Sequence, residues 1–415
     1  MPADPDPARW GAHAADRLAA LAACSLPGPG VTRLPFTPEH RAALDLLTGW
    51  IRAAGLAVQI DAAGTLVGRL DGPAGAPTLL MGTHQDSVRE GGGFDGIMGV
   101  VLPLLALEAL QEEGTALPFA VEVLAFADEE GVRFPTALIG PRALAGTFDP
   151  EVLGMADGAG VTLAEALDGF GCAPGEIAGL ARDPGGVLGY LETHIEQGPV
   201  LEAEGLALGV VTAICGIERH PLVLTGETGH AGTLPMEMRR DALAGAAELV
   251  LEVERLARAT PGLLGTMGTL DLAPGAVNAV PREVQSVVEL RAPEDAVREA
   301  AGAALTDFAR AMAAERGLGL EMRRRYVQPA TLCDHGLSEL LAAAVAEVTG
   351  GPARRLPSGA THDASAMADL CPVAMLFVRC TGGVSHRPEE HATAEDMGAA
   401  VAAIAGFLKR LADTL

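Results

Sequence analysis

Residues 78–87, TLLMGTHQDS, join a short apolar run directly to a cluster of polar side chains. The apolar part, residues 78–81, is typical of a buried strand. The polar part contains His84 and Asp86 in an H-x-D arrangement. The sequence therefore predicts a strand whose end carries side chains suited to chemistry.

Alternating elements continue beyond this stretch. Residues 97–113 have the apolar periodicity of a helix, and residues 119–127 have the pattern of a strand that ends at Asp128-Glu129-Glu130. Strand, polar loop, helix and strand in alternation predict an α/β domain with a mixed, mostly parallel sheet and flanking helices. Functional groups gather beyond the carboxyl ends of strands in such sheets, and both polar clusters lie at such ends.

The first polar cluster has the composition of a metal site. Asp95 follows His84 and Asp86 within the glycine-rich segment 90–96. An isolated H-x-D pair more often has a structural role, but glycines let the backbone turn tightly and bring the Asp95 carboxylate into a crowded site. Imidazole and carboxylate together suit zinc, manganese or cobalt. Asp86 is spaced to hold the second ring nitrogen of His84, as a metal-bound histidine usually requires.

The second polar cluster contains the adjacent glutamates Glu129 and Glu130. Neighbouring side chains at a strand end point in different directions, so one can bind a metal ion while the other faces a substrate water. Hydrolysis of an amide needs a base that accepts a proton from water and returns it to the leaving nitrogen. A solvated acidic turn is the alternative for a bare Glu-Glu pair, and the end of its strand beside the first cluster argues against that alternative.

Two further histidines extend the set of candidate ligands. His194 lies in ETHIEQGP, residues 192–199, and His386 lies in GGVSHRP, residues 382–388. The complete set is sufficient for two ions if one carboxylate bridges them, and it consists of His84, Asp95, Glu130, His194 and His386. We predict that one ion is bound by His84, Asp95 and His194. We predict that the other is bound by Asp95, Glu130 and His386, and two such ions can activate water between them.

The middle of the chain has a different pattern. Its predicted elements are strand, helix, two strands, helix and strand, at residues 222–225, 238–257, 265–272, 284–290, 295–315 and 320–327. This order is the split pattern of a ferredoxin-like α+β domain. We therefore expect a catalytic domain in two parts, residues 1–213 and 329–415, interrupted by an inserted lid or dimerisation domain at residues 214–328.

Composition limits the classes of partner. The chain has 415 residues, enough for two domains, and a formal net charge of −25. This charge argues against a nucleic-acid partner, because Lys and Arg supply most phosphate contacts. The start MPADPDPARW does not have the pattern of a secretory signal, and no apolar run is long enough for a membrane span. The six cysteines are scattered without a CxxC pair, so we expect a cytoplasmic protein without a thiolate zinc site.

Motifs from residue 82 to residue 391 resemble those of the M20 peptidase-like amidases, specifically the hydantoinase/carbamoylase branch. They are GTHQDSVREGGGFDGIMGV, FADEEGVRF, HIEQGPVLE, TGETGHAGTLPMEMRRDAL, PGAVNAVP, LPSGATHDASAMA and GGVSHRPEEH. They follow the order of the family and cover nearly the whole chain. The branch includes N-carbamoyl-L-amino-acid hydrolases, allantoate amidohydrolases and β-ureidopropionases, and it implies a di-zinc exopeptidase-like domain. Departures at Thr361 and at His391-Ala392 affect the shape of the pocket, and therefore substrate identity, rather than the ligands.

The resemblance also implies roles for individual residues. It implies that Glu129 is the general base and that His230 stabilises the substrate carbonyl oxygen as it gains charge, from its own subunit or from the partner of a homodimer. Substrate-binding residues implied in the same way are Gln197, Asn278 and Arg291, the last of which would bind the substrate carboxylate in a bidentate manner. The resemblance assigns no catalytic step to the pair His362-Asp363, and a structural hydrogen-bonding role is equally open for this pair.

These expectations define one function and two alternatives. We expect a hydrolase that uses two divalent ions (zinc, or else manganese, cobalt or nickel) to cleave the ureido or carbamoyl C–N bond of a small carboxylate-bearing substrate and release ammonia. N-carbamoyl-L-amino acids and allantoate are the leading substrates. A dipeptidase or aminoacylase of the same fold is one alternative. A catalytically inactive small-molecule binding protein is the other, and the presence of every ligand and of Glu129 argues against it.

Overall fold

A computed structural model describes residues 6–415, and these residues form two compact units. The larger unit comprises the described residues up to Thr212 together with Cys333–Leu356 and Thr361–Leu415. The smaller unit comprises Ala213–Leu332 and Pro357–Ala360. A role of the smaller unit as a lid or in dimerisation stays a prediction. The expectation about a secretory signal rests partly on residues 1–5, which lie outside the described residues.

The secondary structure of residues 6–415 combines α-helices, short 3-10 helices and strands. The α-helices are α1 (Pro7–Ala22), α2 (Pro38–Ala53), α3 (Met98–Glu112), α4 (Ile139–Ala145), α5 (Leu163–Phe170), α6 (Val200–Glu204), α7 (Ala242–Ala259), α8 (Asp295–Arg316), α9 (His335–Thr349), α10 (Ala364–Met367) and α11 (Ala394–Ala412). The strands are β1 (Ala57–Ile60), β2 (Leu66–Leu70), β3 (Thr78–His84), β4 (Ala120–Phe126), β5 (Val187–Ile195), β6 (Leu208–Ile214), β7 (Gly216–Thr225), β8 (Leu264–Met267), β9 (Asp271–Ala273), β10 (Glu283–Ala292), β11 (Gly319–Met322), β12 (Tyr326–Gln328), β13 (Thr331–Leu332), β14 (Arg354–Ser358) and β15 (Val373–Val378). Among these helices, none combines the length and the apolar character that crossing a bilayer demands.

A nine-stranded sheet forms the centre of the larger unit, in the order β1-β2-β4-β3-β5-β15-β6-β13, with β14 beside β6. Its four central strands, β4, β3, β5 and β15, run parallel. The strands on either side pair antiparallel. The predicted α/β class with a mixed sheet is confirmed, and its four central strands account for three consecutive parallel pairs.

Burial explains why β3 occupies the centre of this sheet. Every residue of β3 is buried, and α3, which follows it, is buried on all sides, as expected of a helix that is apolar all round. Gly82 in β3 has φ 140°, and an added Cβ would lie 2.0 Å from the carbonyl oxygen of Leu124 on β4. Only glycine permits this close approach, which brings the end of β3 beside the end of β4.

The smaller unit contains an antiparallel sheet in the order β11-β7-β10-β8, with β12 beside β7 and β9 beside β10. Helices α7 and α8 pack on this sheet, and their apolar side chains form one core with those of β7 and β10. The elements follow the predicted order of a ferredoxin-like domain.

Two strands of the smaller unit are interrupted where the sequence predicts continuous runs. The predicted strand at residues 320–327 is divided into β11 and β12, which flank Pro221 of β7. Proline has no N–H to donate to the ladder, so one extra residue bulges out opposite it. The predicted strand at 265–272 is divided into β8 and β9, where the Ser286 hydroxyl donates to the carbonyl oxygen of Thr269.

Candidate metal centre

The central strands of the larger unit bring the predicted ligands to one edge of the sheet. Carboxyl ends of neighbouring parallel strands meet at the same edge, so side chains distant in sequence can converge there. His84 is the last residue of β3, and His194 is the penultimate residue of β5. The other three ligands lie in the loops that follow strands of the same sheet. They are Asp95 between β3 and α3, Glu130 after β4 and His386 after β15.

The first cluster contains His84, Asp95 and His194, all of them buried. Their ligand atoms all lie within 4.8 Å of one another. His194 Nε2 lies 3.1 Å from Asp95 Oδ1, and His84 Nε2 lies 3.6 Å from the same oxygen. Both imidazoles therefore face one carboxylate oxygen.

The second cluster contains Asp95, Glu130 and His386, whose ligand atoms also lie within 4.8 Å of one another. His386 Nε2 lies 3.3 Å from Asp95 Oδ2 and 3.7 Å from Glu130 Oε1. Asp95 thus presents Oδ1 to the first cluster and Oδ2 to the second. A carboxylate that bridges two ions needs this arrangement.

The charges in these clusters fit divalent cations. Glu130 Oε1 is buried and has no hydrogen-bond partner in residues 6–415. Burial, together with the charge of Asp95, raises the pKa of Glu130 to about 7, and the hydrogen bond to Asp95 raises the pKa of His386 to about 9. Buried carboxylates are stable as anions only when they are paired or bind metal. Divalent ions between these oxygens and imidazoles would compensate their charge, so the residues fit two such ions.

The two buried histidines are oriented by backbone carbonyl groups. His84 Nδ1 lies 3.0 Å from the carbonyl oxygen of Asp86, and His194 Nδ1 lies 2.9 Å from that of Ile195. A carbonyl oxygen can only accept, so each Nδ1 donates and each Nε2 is left to bind a ligand.

Asp86 lies beside the second ring nitrogen of His84, as its spacing predicts, and it makes further contacts. Its Oδ1 lies 3.4 Å from His84 Nδ1, farther than its own carbonyl oxygen. The carboxylate also accepts from the backbone N–H groups of Glu129 and Glu130, at 3.1 and 3.3 Å. Asp86 therefore fixes the backbone of the glutamate pair against the end of β3.

Glu129 lies beside these clusters in the same loop. Burial raises the pKa of Glu129 well above its usual value, and the nearby carboxylates of Glu130 and Asp363 add to this effect. A carboxylate with a raised pKa is a stronger proton acceptor than an exposed one. This environment suits a general base.

Side chains around Asp95 include Gln197, implied above as a substrate-binding residue, and two residues that the sequence did not indicate, Ser385 and Glu390. Gln197 Nε2 donates to Asp95 Oδ2 at 2.9 Å and to Ser385 Oγ at 3.1 Å. Gln197 and His386 both have left-handed backbone conformations, with φ of 56° and 59°. Such conformations cost non-glycine residues free energy and are concentrated at functional sites. Ser385 and Glu390, which contact Asp95 or its backbone, were missed because only the motif GGVSHRPEEH pointed to their loop.

The pair His362-Asp363 lies behind the first cluster. Thr83 Oγ1 lies 3.0 Å from Glu192 Oε1 and 3.1 Å from Asp363 Oδ2, so one hydroxyl links two buried carboxyl groups. The ring of His362 packs edge-on against that of His194, with centroids 4.6 Å apart. This arrangement supports a structural role in holding a candidate ligand.

The remaining predicted residues belong to the smaller unit. His230 and Asn278 are exposed and lie on adjoining segments, since the N–H of Ala231 donates to the carbonyl oxygen of Asn278. Arg291 lies on β10, where its guanidinium donates to Glu289 and, at 2.6 Å, to the carbonyl oxygen of Gly359.

Comparisons with known proteins assign the chain to a family. The family model described as Peptidase family M20/M25/M40 matches residues 80–410. An N-carbamoyl-L-amino acid amidohydrolase of Geobacillus stearothermophilus is 42% identical over 371 residues, which cover 89% of this chain and 90% of the relative. An allantoate deiminase of Arabidopsis thaliana is 36% identical over 428 residues, which cover 96% and 82%. The crystal structure of an amidase of the hydantoinase/carbamoylase family from Burkholderia multivorans has a TM-score of 0.90 at 34% identity and covers 98% of both chains. The chain therefore belongs to the M20/M25/M40 peptidase family, as its motifs predicted.

Proposed function

We propose that this chain is a metal-dependent amidohydrolase that cleaves the ureido or carbamoyl C–N bond of a small, carboxylate-bearing substrate. The position of Asp95 between two histidine and carboxylate clusters, with Glu129 beside them, carries the proposal. Relatives over most of the chain are named for N-carbamoyl-L-amino acids and for allantoate. Both compounds combine a ureido group with a carboxylate, so we propose them as the substrate class.

The proposed centre holds two divalent ions. His84, His194 and Asp95 Oδ1 would hold one, and His386, Glu130 and Asp95 Oδ2 would hold the other. When bound, such ions polarise a substrate carbonyl and activate a water for attack. Sites built from histidine and carboxylate accept zinc, manganese, cobalt or nickel.

The protein side chains would move the protons. Glu129 would accept a proton from the attacking water and deliver it to the leaving nitrogen, which departs as ammonia. His230 would donate a hydrogen bond to the carbonyl oxygen as it gains negative charge. The other product is a carbamate, which loses CO₂ to give the amine.

Substrate recognition would use the remaining polar residues. Arg291 can bind a carboxylate through two parallel N–H donors, in exchange for its present bond to Glu289. Asn278 and Gln197 would contact other parts of the substrate. Gln197 Oε1 is buried without a hydrogen-bond partner in residues 6–415, which leaves an acceptor for a substrate N–H.

Release of ammonia from a small panel of substrates tests this function. The protein loaded with zinc, manganese or cobalt should release ammonia from N-carbamoyl-L-amino acids or from allantoate, and ureidopropionate completes the panel. Hydrolysis of N-acyl amino acids or dipeptides, with no ammonia from the panel, would instead indicate an aminoacylase or a dipeptidase. Binding without turnover of any of these compounds would indicate the inactive binding protein.

The proposal includes a homodimer in which His230 serves the site of the partner subunit. Met236 and Met238 are 73% and 65% exposed on the segment that follows His230, as expected of an interface. Coexpression of Glu129→Gln and His230→Ala subunits should then restore activity that each variant lacks alone. If the subunits pair at random, half of the dimers would contain one subunit of each variant, and one of the two sites in such a dimer would be complete. About a quarter of wild-type activity should therefore return.

A mixture no more active than either variant would exclude this role in the partner's site. Sedimentation of the wild-type protein at the assay concentration supplies the control, because exchange between subunits requires a dimer.

A cytoplasmic location stays a prediction, to which the six free cysteines are suited.

A further inference from the structure

Glu390 is a buried carboxylate whose partners are the candidate ligand Asp95 and two residues that directly precede candidate ligands, Phe94 and Ser385. Glu390 as a whole is only 4% exposed. Its Oε1 accepts from the backbone N–H groups of Phe94 and Asp95, at 3.0 and 2.9 Å. Its Oε2 lies 3.1 Å from the hydroxyl oxygen of Ser385. One side chain therefore joins two loops that are almost 300 residues apart in sequence.

The glycine-rich loop before α3 is shaped to receive this carboxylate. An added Cβ at Gly92 would lie 2.2 Å from the carboxyl carbon of Glu390. No other residue permits so close an approach without displacement of Glu390. The rings of Phe94 and His391 make a second contact between the same loops, with centroids 5.4 Å apart.

Ser385 extends the connection to the second cluster. Its hydroxyl lies 2.9 Å from Asp95 Oδ2, the oxygen that faces His386 and Glu130. Ser385 directly precedes His386, whose backbone has a left-handed conformation. Glu390 thus contacts the backbone of Asp95 directly and the backbone beside His386 through one hydroxyl.

We propose that Glu390 is a positioning residue that holds Asp95 and His386 at the separation required by the second ion, and so determines the affinity for that ion. This inference rests on the two-ion centre of the proposed function. Hydrogen-bond partners of metal ligands typically change metal affinity about 10–100-fold when they are removed. Two of the three ligands of the first ion, His84 and His194, are positioned by β3, β5 and backbone carbonyl groups, so Glu390 acts on that ion only through the shared Asp95.

Titration of the metal-free protein with Co²⁺ separates the two binding events by absorption spectroscopy. In Glu390→Ala the affinity for the second equivalent should fall about 10–100-fold, while that for the first should change less than about threefold. In Glu390→Gln the loss should be smaller, because the amide oxygen still accepts from the two backbone N–H groups. Excess Co²⁺ should restore turnover in both variants.

The neighbouring Glu389 provides the matched control. It is exposed, and it pairs with Arg387 on the surface at 3.4 Å. Glu389→Ala should bind both equivalents as the wild-type protein does. If Glu390→Ala does not fold, Glu390→Gln is judged by the same criterion of selective loss of the second equivalent, at the smaller magnitude expected for it.

The outcomes distinguish this inference from the proposed function. Equal weakening of both equivalents, or no weakening of the second, would overturn the positioning role of Glu390. A wild-type protein that binds only one equivalent would instead overturn the two-ion centre itself. Selective loss of the second equivalent, with turnover restored by excess metal, would establish the role.

Discussion

Replacement of Glu129 by glutamine should lower turnover by about 10²–10⁴-fold, the usual contribution of a general acid–base group, while fold and metal content stay unchanged. Glutamine has the same shape as glutamate but cannot accept the proton of the attacking water. The backbone N–H of Glu129 would still donate to Asp86, so the loop should keep its position. Turnover of the best substrate, the circular dichroism spectrum and metal content by mass spectrometry provide the measurements.

The control for this change is Glu389→Gln, which makes the same substitution on the surface and should be fully active. Wild-type turnover in Glu129→Gln would rule out Glu129 as the base. A variant that lost one metal ion would show that Glu129 acts as a ligand, and the assignment of Glu130 would have to be reconsidered.

Replacement of Asp95 by asparagine should have an even larger effect. Asparagine offers one neutral oxygen in place of two anionic ones, so it cannot bridge the two clusters that Asp95 joins. We expect at most one ion per chain. Turnover should fall by more than about 10⁴-fold, because most of an acceleration of about 10⁶-fold or more would depend on the paired ions.

Asp369 supplies the control for this second change, since it is exposed and lies outside the candidate centre. Asp369→Asn should keep both ions and full turnover. An Asp95→Asn variant that retained two ions would contradict the bridging role, whatever its activity.

Local sequence patterns predicted the fold because each pattern reflects the burial of one strand or helix. The apolar run of β3 predicted a buried strand, and β3 is buried throughout. The order of elements in the smaller unit follows the predicted split pattern. The bulge opposite Pro221 could not be predicted from the run at residues 320–327, because it depends on which strand pairs with that run.

The candidate centre was predictable to the extent that its residue types and spacings are distinctive. The predicted ligands lie together at one edge of the sheet. The carboxylate of Asp86 makes its hydrogen bonds to backbone N–H groups of the glutamate loop, and the spacing from His84 does not reveal this. Glu390 was missed for the same reason, since a backbone N–H leaves no mark in the sequence of its partner.

The position of β15 has a consequence for the order in which the chain can fold during synthesis. Strand β15 lies between β5 and β6 in the large sheet, although it follows them in sequence by more than a hundred residues. The ribosome therefore releases the whole smaller sheet before the strand that joins the two parts of the larger one. Domains fold as units when their residues emerge, so the smaller unit can fold early, while β5 and β6 wait with unpaired edges until residue 378 has been made. Unpaired strand edges are sites that chaperones can shield during that interval, and the last candidate metal ligand, His386, is synthesised only after it.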